Sequence, residues 1–193
     1  MSGERPVVLV IDDSPENRYA TQRALDAGGF DVWEEETGAA GMLTAVADPS
    51  VIVLDVDLPD IDGFEVCRRL KADPRTSSVP ILHLSGVEVD EAARVHGLDS
   101  GADTYLTHPV APSVLVATVR ALLRLRLADD VLRRALRRAE LLSELNAAFA
   151  GALTTEEVAA VVTERCRWNL GADAATLHLL DGGGALRPAA ADV

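Results

Sequence analysis

Five short apolar runs punctuate the first two-thirds of the chain, near residues 7–11, 31–34, 51–54, 80–84 and 103–107. Between them, apolar positions recur every three or four residues, the period of a helix with one buried face. Val7 to Ile11 and Val51-Ile52-Val53-Leu54 are apolar at every position. Strands read this way when helices cover both faces of a parallel sheet. The first helix should follow Asp13-Ser14-Pro15, a polar cap with proline at the first helical position, and stop at Gly28-Gly29. A second spans about 37–47, a third follows Asp62-Gly63 and ends near Asp73-Pro74, a fourth covers about 89–98, and a fifth starts after Pro112. This alternation predicts an α/β fold, a doubly wound five-stranded parallel sheet.

The fifth helix has no evident stop, because Pro and Gly are absent from 113 to 150. Leu122, Leu125, Leu132, Leu136, Ala139, Leu142, Leu145 and Phe149 recur at helical spacing, with Arg133-Arg134 and Arg137-Arg138 on the polar side. Either two helices meet at Ala128-Asp129-Asp130, each on its own core, or one continuous helix pairs with a second copy. The second reading predicts a homodimer through residues 122–149, with Asp129, Ser143 and Asn146 as polar seam positions that fix register at a cost in stability. Beyond it, Thr154 and Glu157 form a capping box before another apolar helix ending at Gly171. A strand over Ala175 to Leu180, a turn at 181–184 and a short strand at Ala185-Leu186-Arg187 follow. The domains are therefore expected at 1–127, at 128–150 as a helical linker forming a coiled coil, and at 151–193 as the N-terminal fragment of a larger α+β domain.

Open parallel sheets carry their chemistry outside the carboxyl ends of the strands. Those ends supply Asp12 and Asp13, Asp55, Ser85, and His108 before Pro109. Gathered carboxylates call for a bound cation or raised pKa values. Oxygen ligands with open water positions suit Mg²⁺, which favours phosphate oxygens. A carboxylate beside such an ion can attack phosphorus, and the Ser85 hydroxyl can donate to a phosphoryl oxygen.

Residues 6–127 resemble the receiver domain of bacterial two-component response regulators. The resemblance rests on Val-Leu-Val-Ile-Asp12-Asp13-Ser-Pro-Glu-Asn, Val-Ile-Val-Leu-Asp55-Val-Asp-Leu-Pro-Asp-Ile-Asp-Gly63-Phe-Glu, Leu-Ser85-Gly86, and Gly101-Ala-Asp-Thr-Tyr105-Leu-Thr-His108-Pro109. It implies a flavodoxin-like fold in which Asp55 accepts a phosphoryl group from a histidine kinase or phosphotransfer protein. It also implies that Asp12, Asp13, Asp55 and the backbone carbonyl of Asp57 surround Mg²⁺, that Ser85 bonds the phosphoryl group, that Tyr105 is the switch residue, and that a cis bond precedes Pro109. Such a domain is not an enzyme in the ordinary sense; it takes a phosphoryl group and slowly loses it. The family pattern has lysine where His108 stands. Three readings stay open: a protonatable partial substitute that makes the switch pH-sensitive, a pseudo-receiver acting as a phosphorylation-independent dimerisation or interaction module, or a neighbour without consequence. Residues from about 145 resemble the opening of a GAF domain.

Composition narrows the rest. Net charge is −13 across 193 residues, which argues against direct nucleic-acid binding through a basic face. No apolar stretch approaches the roughly 18 residues of a membrane span. Cys67 and Cys166 are far apart and lack metal-ligand spacing, consistent with a reducing, cytoplasmic setting. Lys71 is the single lysine. Asp55-Val56-Asp57 also fits the start of a haloacid-dehalogenase-type phosphatase, but the acidic pair here lies upstream. Asp60-Ile61-Asp62-Gly63 fails as a calcium loop, with Leu58 and Arg69 where ligands belong. His83, within a strand, reads as a core histidine, and Trp33 and Trp168 as packing residues.

Overall fold

A computed structural model describes residues 5–86, 101–150, 154–170, 172–180 and 185–192. It divides into two units, Met1–Asp130 and Val131–Val193. In the first, β1 (Val7–Ile11), β2 (Asp31–Glu35), β3 (Val51–Asp55), β4 (Ile81–Ser85) and β5 (Thr104–Thr107) form a sheet in the order β2-β1-β3-β4-β5. All neighbours pair in parallel. This is the doubly wound, flavodoxin-like arrangement, with its switch point between β1 and β3. The all-apolar runs are the central strands. Alternate residues of β1 and β3 feed two cores: Val8, Val10 and Val53 on one face, Leu9, Ile11, Ile52 and Leu54 on the other.

Helices α1 (Pro15–Ala27), α2 (Gly38–Ala45), α3 (Gly63–Ala72) and α4 (Pro112–Ala150) cover that sheet or extend from it. The Ser14 hydroxyl caps α1 by accepting from Asn17 N–H at 3.3 Å, and Gly29 turns the chain out with φ 89°. The helix expected near 89–98 lies outside the described residues.

Helix α4 is continuous, so the break considered at 128–130 does not occur. Its first part belongs to the sheet's core: Leu115, Val119 and Leu122 are buried with Val8 and Leu25. Arg120 donates to the Gly28 carbonyl at 2.9 Å, and Arg126 reaches the Pro49 carbonyl and Asp48. Leu122, expected in the dimer seam, is only 4% exposed. The core has claimed it, and the available apolar stripe begins at Leu125.

The second unit contains α5 (Thr155–Leu170) and an antiparallel hairpin of β6 (Ala175–Leu180) and β7 (Leu186–Asp192). The capping box forms as expected: Thr154 N–H donates to Glu157 Oε2 at 3.0 Å, and Glu157 N–H to Thr154 Oγ1 at 3.2 Å. Strand β7 runs past Arg187 to Asp192, longer than its weak pattern indicates, because β6 supplies a six-residue edge to pair with. Trp168, expected to pack, is 75% exposed.

Candidate functional site

Strands β1 and β3 are direct neighbours, with Ile11 opposite Leu54. The next residues, Asp12, Asp13 and Asp55, therefore emerge side by side. One carboxylate oxygen from each lies within 4.8 Å of the others. Asp12 and Asp55 are buried, while Asp13 is exposed at the mouth. The donors are all hard oxygens, the set that fits Mg²⁺.

Burial and crowding shape the electrostatics. Burial, then the charge of Asp12, pushes Asp55 up to about 6; main-chain N–H groups of Val56 and Asp57 act against this. Val56 N–H donates to Asp55 Oδ1 at 2.7 Å. Burial also raises Asp12, opposed by the Ser14 N–H at 2.8 Å and by the nearby charges of His108 and Arg18. These are carboxylates under strain from one another, a condition a divalent cation would relieve.

The loop after Asp55 is built to pass close by. A Cβ on Gly63 would lie 2.1 Å from the Asp55 carbonyl oxygen, so no other residue fits there without moving the loop. Asp57, whose carbonyl was expected to face the ion, has an exposed side chain, and its charge adds the smallest of the upward pushes on Asp55. Asp60, which sequence reading treated only as part of a failed calcium loop, tethers this loop. Its two carboxylate oxygens accept from Gly38 and Ala39 N–H, each at 2.9 Å, across the start of α2.

Ser85 ends β4, buried, one position beyond the Leu84 that pairs with Asp55. Its carbonyl accepts from His108 N–H at 2.7 Å, which fixes the end of β5 beside it. The His108–Pro109 bond is cis. Nε2 of His108 is buried without a hydrogen-bond partner among the described residues. His108 also lines a cleft of about 180 Å³ with Thr21, Pro109 and Leu115. Tyr105 is half-buried on β5, its ring 6.3 Å from that of His83. His83 is fully buried, packs edge-on against Phe64 at 5.1 Å, and is driven down to about 4 by burial, so it is neutral at physiological pH.

Residues 8–120 match the family described as the response regulator receiver domain. The chain belongs to that family. Among curated receiver proteins it is similar to the DNA-binding dual master transcriptional regulator RpaA of a Synechocystis strain, 38% identical over 141 residues, which cover 72% of this chain and 56% of RpaA. It is also 38% identical over 128 residues to the response regulator PleD of Caulobacter vibrioides, covering 66% of this chain and 28% of PleD. The chain thus spans about half of the first relative and less of the second. Solved receivers agree in fold. A response regulator from Chloroflexus aurantiacus superposes with TM-score 0.60 at 30% identity, covering 63% of this chain and 99% of that one. The beryllofluoride-activated DrrB receiver domain gives TM-score 0.56 at 29% identity, covering 63% and 99%. The receiver domain of a Pseudomonas aeruginosa sensor histidine kinase, with magnesium coordinated in its active-site cleft, gives TM-score 0.58 at 23% identity, covering 62% and 98%.

The receiver's acidic cleft was legible from the strand ends. Its support was not. Arg18, on the first turns of α1, reaches back to the main chain of the acidic pair. The available signal was its place five residues after Asp13, on a helix whose start was already fixed by Ser14-Pro15.

Proposed function

We propose that this receiver is a phosphoacceptor signalling module in which Asp55 takes a phosphoryl group from a histidine kinase or phosphotransfer protein. The observation that carries this reading is the convergence of Asp12, Asp13 and Asp55 at the carboxyl edge of the sheet. Mg²⁺, held by those carboxylates and the Asp57 carbonyl, would supply charge neutralisation to the incoming phosphoryl oxygens. The Asp55 oxygen attacks phosphorus and forms the acyl O–P bond as the P–N bond to the donor histidine breaks and its imidazole leaves; the Ser85 hydroxyl donates to a phosphoryl oxygen. The module is not a turnover enzyme; its acyl phosphate is lost slowly to water. Magnesium in the Pseudomonas receiver and beryllofluoride in DrrB support this assignment by likeness. We place the module in the cytoplasm; no helix among the described residues is long and apolar enough to cross a membrane. We assign this acidic stretch no nucleic-acid partner of its own; RpaA's DNA binding is a property of that protein.

The test is labelling by acetyl phosphate with Mg²⁺. Hydroxylamine-sensitive phosphate should appear on the wild-type protein, and vanish when Mg²⁺ is chelated or in Asp55→Asn. Label that persists in Asp55→Asn would remove Asp55 from the role.

The phosphoryl signal would leave through α4 toward a C-terminal domain that we read as GAF-like. Leu125, Leu132, Leu136 and Leu142 are more than half exposed along the helix. Apolar side chains at such spacing mark a docking face, and we assign it to a second copy of this chain. The side chains of Leu145 and Phe149, expected in the same seam, lie outside the described residues. Light scattering at micromolar concentration should give a dimer, and Leu132→Glu a monomer. A wild-type monomer, or a Leu132→Glu dimer, would remove the seam from the account. The same exposed stripe favours a second reading, a scaffold that dimerises without phosphate. In that case beryllofluoride leaves both mass and helix register unchanged.

A further inference from the structure

The charge balance of the pocket is unusual. Three carboxylates converge, and position 108 carries an imidazole instead of a permanent cation. The chain's single lysine cannot substitute. Lys71 Nζ is bound to the Val79 carbonyl at 2.9 Å and to Asp103 Oδ2 at 2.8 Å. Val79 and Asp103 precede β4 and β5, so this ammonium sits at the amino end of the sheet, opposite the acidic edge.

Arg18 is placed differently. Its Nη1 donates to two successive carbonyls, Asp12 at 2.7 Å and Asp13 at 3.0 Å. Its Nη2 meets Glu36 Oε1 at 2.5 Å, on the loop between β2 and α2. The Arg18 side chain is only 12% exposed, against 72% for Glu36. Water therefore competes weakly for the guanidinium and strongly for its carboxylate partner, and the guanidinium's charge acts against the upward push of burial on Asp12. The main chain of Asp12 is held further, since its N–H donates to the Glu35 carbonyl at 3.1 Å. The turn that aims both acidic side chains cannot rotate without breaking these bonds. A planar guanidinium suits this double role better than an ammonium, because its donors are fixed in direction and its charge does not titrate.

We propose that Arg18 is a positioning residue of the phosphoacceptor site: it clamps the Asp12–Asp13 main chain and supplies part of the permanent positive charge that position 108 lacks. The proposal rests on the phosphoacceptor reading given above. It assigns to α1 part of a task that the family pattern assigns to the end of β5.

Beryllofluoride binding at saturating Mg²⁺ tests it, using the full chain as wild type, Arg18→Lys, Arg18→Gln and the double variant Arg18→Gln/His108→Lys. Beryllofluoride affinity should fall about tenfold in Arg18→Gln, the effect of one fixed charge removed at short range. Arg18→Lys, which keeps the charge with fewer fixed donors, should lie between that variant and wild type. The double variant should recover most of the loss. A merely structural role for Arg18 would lower thermal stability in both single variants and gain nothing from a lysine at 108. Unchanged affinity in Arg18→Gln, or no recovery in the double variant, overturns the proposal while leaving Asp55 in place. If wild type itself binds neither Mg²⁺ nor beryllofluoride, the phosphoacceptor reading falls and this inference with it. Should Arg18→Gln fail to fold, Arg18→Lys against Arg18→Lys/His108→Lys makes the same comparison.

Discussion

Replacing His108 with lysine is expected to speed phosphorylation of Asp55 by acetyl phosphate by about tenfold to a hundredfold at pH 7.5, comparable to restoring one preorganised charge at a reacting centre. The phosphoryl group brings negative charge into a cleft that already holds Asp12, Asp13 and Asp55. The end of β5 is the right place for a compensating cation, because His108 N–H is bonded to the Ser85 carbonyl at 2.7 Å. Imidazole is shorter than a lysine side chain and does not carry a fixed charge. The buried Nε2 of His108 makes no hydrogen bond among the described residues, so the exchange breaks no hydrogen bond at that atom. Initial rates of hydroxylamine-sensitive labelling decide the matter. A His108→Lys protein that folds and binds Mg²⁺ normally yet labels no faster would show that the pocket already has the charge it needs.

Asp55→Asn should make the metal-free protein more stable at pH 7.5, by about 2–3 kcal/mol. Asp55 is held up to about 6 in the fold, chiefly by burial and then by Asp12, against an ordinary value of 3.8. A carboxyl group raised on folding favours its protonated form. Its contribution is fully present below about pH 4 and is lost as pH rises through 6. At pH 7.5 the folded protein carries a buried charge crowded by Asp12; asparagine does not. The advantage of Asp55→Asn should therefore grow between pH 4 and pH 6 and then level off. Mg²⁺ should reverse the order, since ligand binding stabilises the wild type in proportion to its occupancy and the variant has lost a ligand. Unfolding followed by Trp33 in a Trp168→Phe background isolates the receiver, because the two tryptophans lie in different units. A metal-free Asp55→Asn protein less stable than wild type at pH 7.5 would mean that the carboxylate is stabilised in place.

Much of this receiver could be read along the chain because its local signals agree with its global fold. Apolar runs gave β1 and β3, the Ser14-Pro15 pair gave the start of α1, and the Thr154–Glu157 capping box gave the start of α5. Acidic residues at the ends of two such runs marked the site. Where the reading departed from the structure, a nonlocal partner decided. Leu122 fits a helical dimer seam as well as it fits a core, and contacts with Val8 and Leu25 settled it for the core. Strand β7 had little pattern of its own and took its length from β6. Asp60 entered only as part of a failed calcium loop, and its partners, the Gly38 and Ala39 N–H groups at the start of α2, lie more than twenty residues away.

The sequence by itself determined which stretches become strands and helices, and which of them end in carboxylates, because periodicity and capping are local. Only the tertiary structure decided that β1 lies against β3, so that Asp12 and Asp55 share one cleft, and that Arg18 folds back beneath them. Strand order and side-chain reach depend on how distant segments share a core, and no window along the chain contains that information.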